Sequence, residues 1–297
     1  MFLCRKIPYF FFPLLTVAAV IVFSFYLLSA SFCAVVNMSA DTSNIPCADI
    51  PVLMYHSLAD SYSRAGDYVF PPDEFRRDME YLKKNGFETV SVSQVYDFAV
   101  NGTALPEKPI MITFDDGFLN VLTYALPIFR ELDMCGVMNP VGYYSEKSEE
   151  YNEHEPLYSY LTFDEITELA VSGRFEIGSH TYNMHSLDGR KGCGRKFGES
   201  SEEYKNALIA DSRKMNDILL EKCGITTSIF AYPYGFISDE SEEILNSCGY
   251  NVFFTCFERH NRIYPKSLES KDSLILDRYN RYFGSDAEEF MLSAGIV

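Results

Sequence analysis

Tryptophan is absent from this 297-residue chain, histidine occurs only five times, and the 25 basic residues are outnumbered by 42 acids. The resulting net charge of −17 argues against a nucleic-acid binder working through a broad basic face, because neutralising phosphates takes clustered Lys and Arg. No Cys-x-x-Cys pair occurs, so a zinc-ribbon or thioredoxin-like site has nothing to stand on. Thirteen prolines and 17 glycines are too few for a collagenous or low-complexity chain. What remains is an ordinary globular composition, 47% hydrophobic and 23% charged, which excludes wholesale disorder. No internal repeat is visible.

The first 36 residues differ from the rest. Arg5 and Lys6 precede a run over residues 7–36 that contains no charged residue and no histidine. The run exceeds the roughly 20 apolar residues that span a bilayer. The basic pair before it predicts that the remainder is exported. Residues 1–36 are therefore read as a transmembrane anchor, with a signal peptide cut near Ala30-Ser31 or Cys33-Ala34 as the alternative. The expected location is the cell membrane, single-pass with the remainder of the chain outside, or secreted if the segment is cleaved. Residues 37–50 read as a polar linker. Cys47, Cys135, Cys193, Cys223, Cys248 and Cys256 follow; their even number permits disulfides, while free buried thiols are the simpler reading beside strand-like segments.

From Pro51 onward short apolar runs alternate with amphipathic segments. Strands are expected at 51–55, 87–92, 109–114, 136–141, 175–179, 228–232, 252–256 and 273–277. Helices are expected after Asp73 and over 94–100, 118–132, 202–222, 239–247 and 286–293, with Thr162-Phe-Asp-Glu165 as a capping box opening another. This order over 51–297 predicts one α/β domain, a single (β/α) barrel. Residues 142–160 and 186–201 interrupt the rhythm. They read as solvated loops, or as rims of the C-terminal face, where sites in such barrels lie.

Three segments at strand ends carry candidate chemistry. Thr113-Phe-Asp-Asp-Gly117 places two carboxylates side by side, which is costly unless a cation or proton relieves them. Ile177-Gly-Ser-His-Thr-Tyr-Asn-Met-His185 holds a pair of imidazoles; two His and one carboxylate suit a divalent ion with open positions for water and substrate. In Phe230-Ala-Tyr-Pro-Tyr-Gly235, Pro233 and Gly235 set a backbone path that can aim the Tyr234 N–H at a substrate oxygen.

Together these segments resemble the polysaccharide deacetylase family with its NodB-homology domain (carbohydrate esterase family 4). Thr113-Phe-Asp-Asp-Gly117 is similar to its first motif, His180-Thr-x-x-x-His185 to its second and Tyr232-Pro-Tyr-Gly235 to its third. Pro51-Val-Leu-Met-Tyr-His56 and Asp277-Arg-Tyr-Asn280 look most like the bacterial branch that deacetylates poly-N-acetylglucosamine. The resemblance implies a distorted (β/α) barrel and a metal-dependent hydrolase that removes N-acetyl groups from an N-acetylglucosamine-containing polymer of the cell wall or exopolysaccharide. It implies that Asp116, His180 and His185 hold the metal (zinc first, with cobalt, nickel or manganese as alternatives) and that Asp115 is the general base. Tyr232, Pro233 and Tyr234 are the substrate or oxyanion segment. The family's Trp-containing motif and its C-terminal Leu-x-x-His are missing here, and no Arg precedes the third motif's Pro. His56 is therefore the candidate general acid, and His260 reads as solvated. The expected partners are the N-acetylated glycan and, through residues 1–36, a membrane; no nucleic acid is expected. Alternatives are an O-acetyl xylan-type esterase and a carbohydrate-binding protein whose site has decayed.

Overall fold

The computed structural model describes residues 47–296. The anchor or signal segment expected over 1–36, and the linker as far as residue 46, lie outside the described residues. Among the described residues no helix is long and apolar enough to cross a membrane.

The alternating pattern becomes parallel sheets flanked by helices. β2 (Val52–Tyr55), β4 (Pro109–Asp116), β5 (Gly136–Pro140) and β6 (Phe175–Ile177) lie side by side, with β11 (Tyr279–Asn280) beyond β2 and β3 (Glu88–Thr89) against the start of β4. All these pairings are parallel. A second parallel sheet has the order β10 (Leu274–Leu276), β8 (Val252–Phe254), β7 (Ile229–Ala231). β4 and β5 are buried along almost their whole length, as expected of strands covered on both faces.

The α/β class stands, but the strands do not hydrogen-bond into a closed barrel. Between β6 and β7 only the isolated Ser179–Phe230 bridge survives, because both strands are three residues long. Between β10 and β11 the chain leaves one sheet and joins the other through Asp277 and Arg278. The Arg278 side chain, not a ladder, fills that seam.

Other expectations shift locally. Residues 48–50, read as the end of the linker, form β1 (Ala48–Ile50), antiparallel to β9 (Asn261–Ile263). His260, read as solvated, bridges Asp49 and the carbonyl of Ala294 at 2.9 and 2.8 Å, tying the first strand to the C-terminal helix. The stretch 142–160 is not a loop throughout: Gly142–Tyr151 is a helix. The expected helix over 118–132 is a π turn, Val121–Ala125, running into the helix Leu126–Leu132. All the cysteines of the described residues are free thiols.

Candidate active site

Parallel strands bring their C-terminal ends to one face, and four of those ends carry the chemistry. His56 follows β2, Asp115 and Asp116 end β4, His180 follows β6, and Tyr234 follows β7. They line one cavity of about 460 Å³, to which His185, Tyr68, Phe118, Cys256 and Asn280 also contribute.

The backbone is strained where it aims these groups. Asp116 (φ 70°), Thr181 (φ 72°) and Tyr234 (φ 56°) all adopt the left-handed region. Each such residue costs on the order of 1–3 kcal/mol and persists only where its surroundings enforce it. Gly117, at φ 86°, must stay a glycine for a second reason, since a Cβ would press on Pro140 at 3.0 Å.

Asp116, His180 and His185 each offer a ligand atom, and the three atoms lie within 4.8 Å of one another. Asp116 Oδ1 is 3.0 Å from His185 Nε2 and 3.6 Å from His180 Nε2. Close as it is, that oxygen is shielded from solvent and counts no hydrogen-bond partner. His180 donates its Nδ1–H to the Ala231 carbonyl at 2.9 Å. A carbonyl can only accept, so the ring proton sits on Nδ1 and the Nε2 lone pair faces the cluster. Burial lowers the His180 pKa to about 4 against the pull of Asp115 and Asp116, keeping the ring neutral. An orphaned carboxylate oxygen and a neutral imidazole converging on one point are the donor set of a divalent-cation site.

Asp115 is held differently. Arg278, itself fully buried, donates Nη1 to Oδ1 and Nη2 to Oδ2, both at 2.8 Å, and Asn139 Nδ2 adds a bond to Oδ1 at 2.9 Å. Burial alone would raise the Asp115 pKa. The Arg278 charge, with His180 and His56 nearby, overrides it and holds the carboxyl well below the usual carboxylate range. Gly178 makes this possible, because a Cβ there would collide with Asn139 Oδ1. Arg278 was not singled out in the sequence, although it stands in the Asp277-Arg-Tyr-Asn280 segment and the third motif lacks its usual Arg.

His56 faces the same cavity with its Nδ1 shielded and unpartnered, and Tyr68 packs edge-on against its ring at 4.8 Å. Burial lowers its pKa despite the charges of Asp116 and Asp115, so it is neutral at rest. Of the three residues expected at the oxyanion segment, only Tyr234 faces the cavity. Tyr232 spends its N–H on the Phe254 carbonyl at 3.0 Å and stacks its ring on Phe253 in the core, and Pro233 has no N–H to offer. The Tyr234 N–H has no partner among the described residues.

Comparison with known proteins fits this arrangement. A sequence profile of the polysaccharide deacetylase family matches residues 102–253, just over half of the chain. The chain belongs to the polysaccharide deacetylase family. Poly-beta-1,6-N-acetyl-D-glucosamine N-deacetylase of Escherichia coli (strain K12) is 26% identical over 222 residues, covering 68% of this chain but 33% of the relative. The chain thus spans about a third of that relative's length. The enzyme of the same name from Staphylococcus aureus (strain MRSA252) is 22% identical over 232 residues, 74% of this chain and 75% of the relative. Among solved structures, IcaB from Ammonifex degensii superposes with a TM-score of 0.65 at 24% identity, covering 84% of this chain and 96% of IcaB. That likeness supports the NodB-type fold. Within the family, the first and second motifs converge here as one cluster, while the segment 277–280 delivers the arginine that clamps Asp115.

Proposed function

We propose that this chain is a metal-dependent de-N-acetylase of an N-acetylglucosamine polymer. The observation that carries the reading is the convergence of Asp116, His180 and His185 beside an ionised Asp115 at the wall of one cavity. A divalent cation held by the three, zinc by the chemistry of two imidazoles and a carboxylate, supplies the Lewis acidity that makes water nucleophilic near neutral pH and polarises an amide carbonyl.

The chain's own residues do the rest. Asp115 accepts the proton of the attacking water through the side of its carboxylate that Arg278 and Asn139 leave free. The Tyr234 N–H donates to the carbonyl oxygen as it gains charge. His56, the cavity's remaining imidazole outside the ligand trio and neutral at rest, takes up the proton gained by Asp115 and hands it to the departing amine, so that both groups return to their starting forms. Tyr68, Phe118 and Tyr234 offer ring faces and edges against which a sugar can lie. The intact base and ligand trio speak against a decayed carbohydrate binder, which needs neither. The relatives' names favour an amide over an ester substrate, and the apolar run over 7–36 favours work outside the cytoplasm.

Acetate release by the full-length protein, from poly-N-acetylglucosamine and from acetylated xylan in parallel, tests the reading. Release from the amino-sugar polymer at more than about 10-fold the rate on xylan is expected, and His56→Ala should lower it by about 10²-fold or more while bound metal persists. Faster release from xylan would replace the amide reading by the ester one. Unchanged turnover would remove His56 from the reaction.

A further inference from the structure

The two imidazoles of the ligand trio are anchored by different means. His180 has the Ala231 carbonyl, a partner that can only accept. His185 has no such carbonyl at its Nδ1. Two phenol oxygens stand there instead, Tyr144 Oη and Tyr234 Oη, each at 3.2 Å. Tyr144 comes from the helix Gly142–Tyr151 and Tyr234 from the turn Pro233–Gly235, so separate parts of the chain close on one nitrogen. Both rings are seated by packing. Tyr144 lies 4.5 Å from Tyr160, and Tyr234 lies over the His185 ring at 4.4 Å with an interplanar angle of 31°.

A neutral imidazole has one ring proton. For Nε2 to present a lone pair to a cation, that proton must sit on Nδ1 and find an acceptor there. The Tyr144 hydroxyl donates its own proton to the His185 carbonyl at 3.3 Å, which leaves its oxygen lone pairs for Nδ1–H. Tyr234 Oη offers a second acceptor at the same distance. One hydrogen thus faces two acceptors, either of which can hold it.

We propose that Tyr144 and Tyr234 are positioning residues that form a redundant clasp, holding His185 in the Nδ1–H tautomer so that Nε2 is free for the cation. The inference rests on the metal reading above and adds two residues to it. It also gives the stretch 142–160 a task, since its helix supplies one jaw.

The test uses full-length protein stripped of metal and titrated with zinc, comparing wild type, Tyr144→Phe, Tyr234→Phe and the double variant. Phenylalanine keeps both rings and removes only the hydroxyls. Each single variant is expected within about 3-fold of the wild-type Kd and the double variant about 10- to 100-fold weaker, with metal-free melting temperatures unchanged. A double variant that binds as tightly as wild type, or a single variant as weak as the double, overturns the clasp. Wild type that takes up no zinc overturns the metal reading itself, so the two failures are told apart. Nitrogen-15 histidine spectra of zinc-loaded wild type need no variant: a protonated His185 Nδ1 is expected, and a bare Nδ1 overturns the proposal.

Discussion

Arg278 and Arg281 each fork onto a buried aspartate with nearly equal bond lengths, yet the two pairs do different work. Arg278 meets Asp115 at 2.8 and 2.8 Å, and Arg281 meets Asp78 at 2.8 and 3.0 Å. Asp78 also accepts the Tyr55 hydroxyl at 2.7 Å, and the Arg281 guanidinium lies over the rings of Phe70 and Phe290 at 4.7 and 4.6 Å. Both partners are buried, at 1% and 2% exposure. The pair clamps the helix Pro72–Lys84 to the segment leading into the helix Ala287–Ser293. Asp115 instead has one flank on the cavity, with His180 Nε2 at 3.9 Å from its Oδ2.

The surroundings drive the two carboxylates apart. Burial dominates at Asp78 and raises its pKa, with Arg281 and Tyr55 offsetting only part. The Arg281 guanidinium is itself raised, because Asp78 more than restores what burial removes. At Asp115 the Arg278 charge, with the imidazoles nearby, outweighs burial and tips the balance the other way. An Asp–Arg fork is thus sealed in the core or open to a cavity according to what its free flank faces.

Breaking each pair from the arginine side should separate these roles most strongly. Arg281→Met strands a buried carboxylate and is expected to cost about 3–5 kcal/mol in chemical denaturation, with turnover per folded molecule within about 3-fold of wild type. Arg278→Met should cost less stability, because the cavity can solvate Asp115. It should lower turnover by about 10²-fold and move the acid limb of the rate profile to higher pH, because the charge that chiefly offsets burial at Asp115 is then gone. Equal effects of the two variants on turnover would erase the distinction.

A smaller effect sharpens the same contrast. A depressed carboxylate such as Asp115 contributes stability that is present above its unfolded pKa, near 4, and lost as pH falls through the folded value. A raised one such as Asp78 contributes stability that is present below about 4 and lost as pH rises through its folded value. Lowering the pH from about 5 to about 3 should therefore narrow the stability gap between wild type and Asp115→Asn and widen the gap to Asp78→Asn. Unfolding measured across that range reads both slopes, and slopes of the same sign would contradict the assignment.

The cluster of Asp116, His180 and His185 beside Asp115 was legible because its members fall in two short motifs that end or directly follow strands, where local motif and position coincide. The parallel order of the strands followed from the alternation. Arg278 was not assigned, since its partner is more than 160 positions away and only the fold joins them. Tyr144 lay hidden in a stretch that reads as a loop, its helix showing little apolar periodicity. Barrel closure was overestimated because strand count and order say nothing about seams. At the β10–β11 seam a buried guanidinium takes the place of backbone pairing. The Asp78–Arg281 pair gave no signal, for an Asp inside an amphipathic helix and an Arg in a polar segment both read as surface.

The most direct test is to strip metal from the full-length protein with a chelator and restore zinc stepwise, recording acetate released from poly-N-acetylglucosamine alongside zinc bound per chain. Release should vanish on stripping and return in proportion to bound zinc, reaching its plateau at one ion per chain, while Asp116→Ala neither binds the ion nor recovers. Acetate release that persists in the stripped protein, or in Asp116→Ala, would contradict a reaction built around these three side chains.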